Sequence, residues 1–150
     1  MPEGYKDLIR PVWEEFICGR SEADGVRPQI AASWRRCRDA KVNPYSDVPH
    51  RKLDAPSLGR LLREKDQLIK VAKPFMDNLY QFVQGSGFVV VLTDENGFIM
   101  EMFGDEDTLH NPMTEDFFRG ASWHETEAGT NAIGTALEMG APIQVSGAEH

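Results

Sequence analysis

The chain has 150 residues, a formal net charge of −8, and 41% hydrophobic against 27% charged residues. That is the size and balance of one folded domain with a helical extension, not of a disordered chain. No apolar run approaches the roughly 20 residues of a membrane-spanning helix, and residues 1–7 have no apolar stretch of a secretory signal. Cys18 and Cys37 are too few, and wrongly spaced, for a disulfide framework, so a cytoplasmic location is expected.

The first half reads as helices. Pro11 marks a start and Gly19 a stop for a helix over residues 11–18, with Val12, Trp13, Phe16 and Ile17 on one face. Pro28 opens a second helix near 27–40, where Ile30, Trp34 and Cys37 share a stripe. Arg27, Arg35, Arg36, Arg38 and Lys41 make it basic. They suit either a solvated face or contact with an acidic surface such as the chain's own C-terminal half. Asp54 is a candidate N-cap for a third helix over 55–84. Leu58, Leu61, Lys65, Leu68, Ala72, Phe75, Leu79 and Phe82 recur in it at alternating steps of 3 and 4. A second row, Leu62, Ile69, Met76 and Val83, runs beside it. One row packs on a sheet and the other on a second subunit, or both form one wide internal stripe. Pro74 is expected to kink or divide this helix.

The second half turns to strands. Phe88–Thr93 reads as a strand buried on both faces, Asp94-Glu95-Asn96-Gly97 as a hairpin turn and Phe98–Phe103 as the return strand. Asn111 and Pro112 start a short helix through Phe118, a further helix ends at Gly140, and residues 142–146 read as a third strand. These elements predict an α+β fold, a helical N-terminal segment followed by an antiparallel sheet with flanking helices. The sheet is incomplete and reads as cut off at the C-terminus.

Charge splits sharply along the chain. Residues 1–75 carry 15 basic and 11 acidic side chains, whereas residues 76–150 carry 13 acidic ones and a single base, Arg119. A half so acidic is a poor partner for phosphate, so no direct DNA binding by this chain is expected. Catalytic and metal motifs fail in detail. The stretch His124-Glu125-Thr126-Glu127-Ala128 begins like a zinc-protease HExxH but has Ala128 at the second ligand position. The Gly129 to Gly134 spacing mimics a phosphate loop, yet Thr135 stands where its lysine is needed. His50, His110, His124 and His150 are scattered. The reading is not an enzyme, with no cofactor and no metal.

Two blocks carry a resemblance. They are residues 26–37 (VRPQIAASWRRC) and residues 121–137 (ASWHETEAGTNAIGTAL), the latter followed by Pro142–Val145 and Gly147–His150. Together they resemble the N-terminal sensory region of acetoin-catabolism-regulator-type, sigma-54-dependent bacterial transcriptional activators. The resemblance implies a GAF-like sheet and a fragment lacking the ATPase and DNA-binding modules. It divides the chain into a helical lead-in over 1–53, a long helix over 54–84 packing on the GAF-like domain, and the first part of that domain over 85–150.

It also implies a small-molecule-sensing input domain, or alternatively a dimerisation or partner-docking module without ligand binding. Phe103, Phe118, Trp123, His124, Thr130 and Asn131 are the candidate effector-lining residues. The implied partners are an unidentified metabolite and a second copy of the chain. The homodimer is expected to form on Leu58, Leu61, Leu68, Phe75, Leu79 and Phe82.

Overall fold

The computed structural model describes residues 5–45, 51–110 and 117–150. Helices α1 (Tyr5–Ile17), α2 (Pro28–Asp39), α3 (Ala55–Glu64) and α4 (Asp66–Val83) precede strands β1 (Val89–Thr93) and β2 (Ile99–Gly104). Short helices α5 (Glu106–Leu109), α6 (Glu125–Ala128) and α7 (Ala132–Met139) follow, and a 3-10 turn covers Gly147–Glu149. The fold is α+β, with an antiparallel two-stranded sheet among the described residues. Packing groups the chain into two compact units, residues 1–47 with 123–150, and residues 48–122. This grouping differs from the order along the chain, because the C-terminal segment joins the N-terminal helices.

The first unit is built on an apolar cluster of Ile9, Phe16, Ala23, Val26, Ile30, Ala31 and Trp34. Helix α1 starts six residues before the expected Pro11, which lies inside it. The physical reason is Ile9, which is 2% exposed. Its burial extends the apolar face one turn toward the N-terminus, and this outweighs the hydrogen bond that Pro11 cannot donate. The helix stops at Gly19, whose N–H donates to the Phe16 carbonyl at 3.0 Å. Helix α2 starts with Pro28 at its first turn, as its sequence indicates, and buries Ile30 and Trp34. The expected third strand over 142–146 is not one, since those residues join no ladder. Ile143 and Val145 pack instead on the helical cluster, so their alternation faces side chains and not a sheet.

In the second unit, Asp54 caps α3 by accepting from the Ser57 N–H at 2.9 Å. The long helix divides at Lys65, whose φ of −99° and ψ of 10° leave the helical region. It runs without a break past Pro74, which lies inside α4. Division at Lys65 replaces the expected division at Pro74. The Lys65 ammonium reaches both Glu95 oxygens at 2.7 and 2.8 Å, a partner in the hairpin turn.

Helix α4 packs on β1 and β2. Met76 is its buried residue, and Ile69 and Val83 of the same row are half-buried. The other row separates in two. Leu58 and Leu61 of α3 are half-buried, whereas Leu68, Phe75, Leu79 and Phe82 of α4 are exposed.

The hairpin pairs Val89 with Gly104 through Leu92 with Glu101, then shifts register so that Thr93 faces Ile99. Its turn closes as the Asn-Gly pair predicts. Gly97 takes φ 81°, and the Asp94 carboxylate accepts from the Asn96 and Phe98 N–H groups at 3.0 and 2.8 Å. Strand β1 is half-buried along its whole length rather than buried on both faces. One ladder, with β2, and α4 are its main neighbours among the described residues, which is too little cover for a fully buried strand. Residues 120–122 lie against the start of β2 and against Arg51–Leu53, with the Ile99 N–H donating to the Ala121 carbonyl at 3.0 Å. The helix expected to start at Asn111 lies outside the described residues, as does His50.

Candidate functional site

The two sequence blocks that carry the resemblance meet inside the first unit. Helix α2 brings Arg27, Ser33, Trp34, Arg36 and Cys37. The later block brings Glu125, Thr130 and Thr135, and Glu149 follows. Ser33, Glu125, Thr135 and Glu149 are each at most 1% exposed. Four polar side chains so deep must find hydrogen-bond partners inside the protein.

They do. The Arg36 Nε donates to Glu125 Oε2 at 2.7 Å and its Nη2 to Oε1 at 3.0 Å. Oε1 also accepts from the Thr135 hydroxyl at 2.6 Å and from the Ser33 hydroxyl. Since Ser33 donates to Glu125, Thr130 donates to Ser33 across 2.7 Å. At the other end of α2, Arg27 reaches Glu149 with Nε at 2.8 Å and Nη2 at 2.6 Å. The Trp34 indole N–H donates to the Glu149 carbonyl at 2.9 Å, and the Ser146 N–H to its carboxylate at 2.9 Å. One helix thus grips two distant carboxylates with two planar guanidinium forks. Of the two readings of the basic stretch, Arg27 and Arg36 follow the contact with acidic groups of the chain's own C-terminal half.

The electrostatics follow from this geometry. Burial pushes the Glu125 carboxyl up, but hydrogen bonds from Arg36, Ser33 and Thr135 outweigh it and hold the group below its usual range. The same bond with Glu125 raises Arg36. Burial pushes the Cys37 thiol up, against the hydrogen bond with Thr130. Glu125 is thus an anion held in place, and Cys37 a thiol kept protonated. Neither is poised for proton transfer or nucleophilic attack at neutral pH.

The backbone around the cluster needs specific residues. Asn131 caps α7 by accepting from the Gly134 N–H at 2.8 Å, and donates to the Trp123 and Gly129 carbonyls at 2.9 and 2.8 Å. A Cβ on Gly134 would lie 2.6 Å from the Glu125 nitrogen and 2.7 Å from the Trp123 oxygen. Only glycine admits that approach. His124 caps α6, its Nδ1 accepting from the Thr126 N–H at 3.3 Å, and its Nε2 lies 3.1 Å from Glu138.

Of the candidate effector-lining residues, Trp123, His124, Thr130 and Asn131 stand in the first unit, Trp123, Thr130 and Asn131 buried and His124 half-buried. The polar groups of Thr130 and Asn131 are engaged in the bonds just described. Phe103 and Phe118 belong to the second unit. Phe103 lies on β2 with its ring 6.5 Å from that of Tyr80, and Phe118 is 39% exposed. Sequence reasoning missed Ser33, Thr135 and Arg36 as partners of Glu125. The available signal was that the two most distinctive blocks are one basic and one acidic.

The second unit has its own buried carboxylate. Glu101 on β2 accepts from Lys73 of α4 at 2.7 Å and from Arg119. Burial pushes this carboxyl up, but the bonds to Lys73 and Arg119 bring it below its usual range. A shallow open cleft of 270 Å³ runs along α3, with Leu53, Leu61, Phe98, Arg60, Glu64 and Asn96 among its lining residues. Among the described residues, no group of three or more His, Cys, Asp or Glu side chains is arranged to hold a metal ion. None of their helices is long and apolar enough to cross a membrane.

Sequence similarity relates this α+β region, with its buried Glu125 and Glu149 held by Arg36 and Arg27, to the N-terminal region of bacterial transcriptional activators. The chain belongs to the family of the MimR N-terminal domain, whose model matches residues 8–150.

It is 32% identical over 139 residues to the acetoin dehydrogenase operon transcriptional activator AcoR of Bacillus subtilis, covering 92% of this chain and 23% of AcoR. It is 33% identical over 144 residues to the propane 2-monooxygenase operon transcriptional activator MimR of Mycolicibacterium goodii, with 91% and 23% covered. The acetoin catabolism regulatory protein of Cupriavidus necator is 34% identical over 126 residues, with 81% and 18% covered. The chain therefore spans about a fifth of the length of these curated relatives. Among solved structures, that of the E. coli DhaR(N)-DhaL complex matches with a TM-score of 0.67 at 24% identity, over 76% of this chain and 38% of the other. That match shows the fold alone.

Proposed function

We propose that this chain is the signal-input region of a bacterial transcriptional activator and that it senses a small-molecule effector on a GAF-like framework. The observation that carries the reading is the match of residues 8–150 to the N-terminal domain of activators named for the catabolic operons they control. The β1–β2 hairpin with α4 across it fits the opening of a GAF-like sheet, in the division 1–53, 54–84 and 85–150. Within the first unit, Trp123, His124, Thr130 and Asn131 are the residues assigned to the effector; Phe103 and Phe118 belong to the second unit and are not part of that group. Arg119 is engaged with Glu101, which favours a neutral or cationic metabolite over an anionic one. In this reading the region has no catalytic role, acts in the cytoplasm of a sigma-54-dependent system, and leaves DNA contact to other parts of the protein.

A thermal-shift screen of small neutral and cationic metabolites tests the proposal. Saturable stabilisation is expected, about 2.7 kcal/mol at a hundredfold excess over Kd. Trp123→Ala is expected to abolish it. A panel of carbonyl, diol and amine metabolites that produces no saturable shift would overturn effector sensing.

A second reading, a self-association or partner-docking module, is favoured by the exposed apolar side chains of α4. It is also favoured by the structural neighbour DhaR(N), which was solved in complex with DhaL. Light scattering and partner capture by the unliganded chain separate this reading from sensing.

A further inference from the structure

We propose that the outward face of α4 pairs antiparallel with the same face of a second copy of this chain, across a twofold axis at Phe75. The proposal deepens the self-association reading and rests on it. The exposed apolar residues of α4 are Leu68, Val71, Phe75, Leu79 and Phe82. Their spacing is symmetric, because Val71 and Leu79 lie four residues either side of Phe75, and Leu68 and Phe82 seven either side. At roughly 100° per residue all five fall within about 40° of Phe75 around the helix. A palindromic stripe of this kind is self-complementary under a twofold axis, the isologous geometry of most homodimers. Leu68 then meets Phe82 of the partner, Val71 meets Leu79, and Phe75 meets itself.

Charge supports the same face. The charged residues of α4 are Asp66, Lys70, Lys73 and Asp77. All four lie within about 40° of the direction opposite Phe75 on the same helical projection. Lys73 is bonded to Glu101 and Lys70 to Asp66, at 2.7 and 2.6 Å. The stripe's flanks are Gln67, Ala72, Asn78 and Val83, so two copies bring no like charges together along the seam.

Area supports a stable partner. Phe75 is 66% and Phe82 88% exposed, with Leu68, Val71 and Leu79 between 47% and 59%. Together the five residues expose on the order of 600 Å², the upper end of the largest apolar patch on a typical monomer and about three-quarters of the ~800 Å² each partner buries in a standard interface. The structure also narrows the seam expected from sequence. Leu58 and Leu61 stand on α3, beyond the break at Lys65, and are half-buried within their own unit.

Light scattering and single-cysteine crosslinking test the arrangement, the latter in a Cys18→Ser background because Cys18 is exposed. The unmodified chain is expected to be a dimer at high micromolar concentration. Phe75→Glu is expected to yield monomers with unchanged helical circular dichroism, since the side chain contributes little to its own subunit. With a short bifunctional thiol reagent, Phe75→Cys is expected to crosslink to itself. Leu68→Cys and Phe82→Cys are expected to crosslink only when mixed.

A monomeric unmodified chain overturns the self-association reading itself. A dimer in which Leu68→Cys and Phe82→Cys each crosslink alone is parallel, and overturns only the antiparallel arrangement. A dimer that survives Phe75→Glu and gives none of these crosslinks uses another surface, and overturns the proposal.

Discussion

Arg36 and Glu125 are 89 residues apart in the chain and form a two-pronged ion pair, with Nε at 2.7 Å and Nη2 at 3.0 Å from the two carboxylate oxygens. Arg36 retains 36% of its side-chain exposure, whereas Glu125 retains 1%. The pair therefore runs from the protein surface into its interior, and its two members are not equivalent.

Removing either member has a calculable sign. Arg36→Ala leaves a buried carboxylate facing only hydroxyl donors. Loss of one partner of a buried pair costs about 3–5 kcal/mol, and the exposure of Arg36 brings the expected loss to roughly 2–3 kcal/mol. Arg36→Lys keeps the charge but not the fork and is expected to cost about half as much. Urea unfolding of the three proteins measures both values.

Acid is expected to weaken both units. Glu125 and Glu101 have folded-state pKa values below their unfolded ones. The unfolded chain therefore binds more protons as acid is added. The stabilisation is complete above the unfolded value, near ~4.3, and is lost as the pH falls through the lower folded values. Urea midpoints measured from pH 7 down to pH 3 are expected to fall steeply below that value, and Glu125→Gln to flatten the decline. A midpoint insensitive to acid in the parent chain contradicts this account.

Gly134→Ala tests the close approach of α7 to the Trp123–Glu125 backbone. Helix propensity alone favours alanine by about 1 kcal/mol. The added methyl would stand 2.6 Å from a backbone nitrogen and 2.7 Å from a backbone oxygen, neither of which is the end of a flexible side chain. A net loss of about 2–4 kcal/mol is expected. Thermal unfolding gives the sign at once.

The two cysteines are expected to react differently with a thiol reagent at neutral pH. Cys18 is exposed, while Cys37 is half-buried beside Thr130 and the Glu125 carbonyl, with its thiol pushed up by burial. One equivalent is expected to react quickly in the native chain and the second only on unfolding. Arg36→Ala is expected to speed the slow one, because loosening the pair opens the segment that covers it.

Local chemistry was legible in the sequence. Pro28 at a helix start, Asp54 as a cap, Asn96-Gly97 as a turn and Gly140 as a stop each act through a few neighbouring residues, and each is found in the structure. The two distinctive blocks and the charge asymmetry between the halves were legible as well.

The rest depended on partners that no local pattern names. Ile9 carries α1 past Pro11 because a core residue is available to bury it. Ile143 and Val145 alternate as a strand would, yet join a helical cluster, because alternation states that one side is buried and not what buries it. The heptad row Leu58 to Phe82 is continuous in sequence and broken at Lys65 in space, where Glu95 of the hairpin turn supplies a counter-charge. Sequence by itself determined the family, the α+β composition and the local starts and stops. Tertiary structure alone decided that Glu125 and Glu149 are buried anions held by one helix, since burying a charge is tolerable only where folding brings its counter-charge.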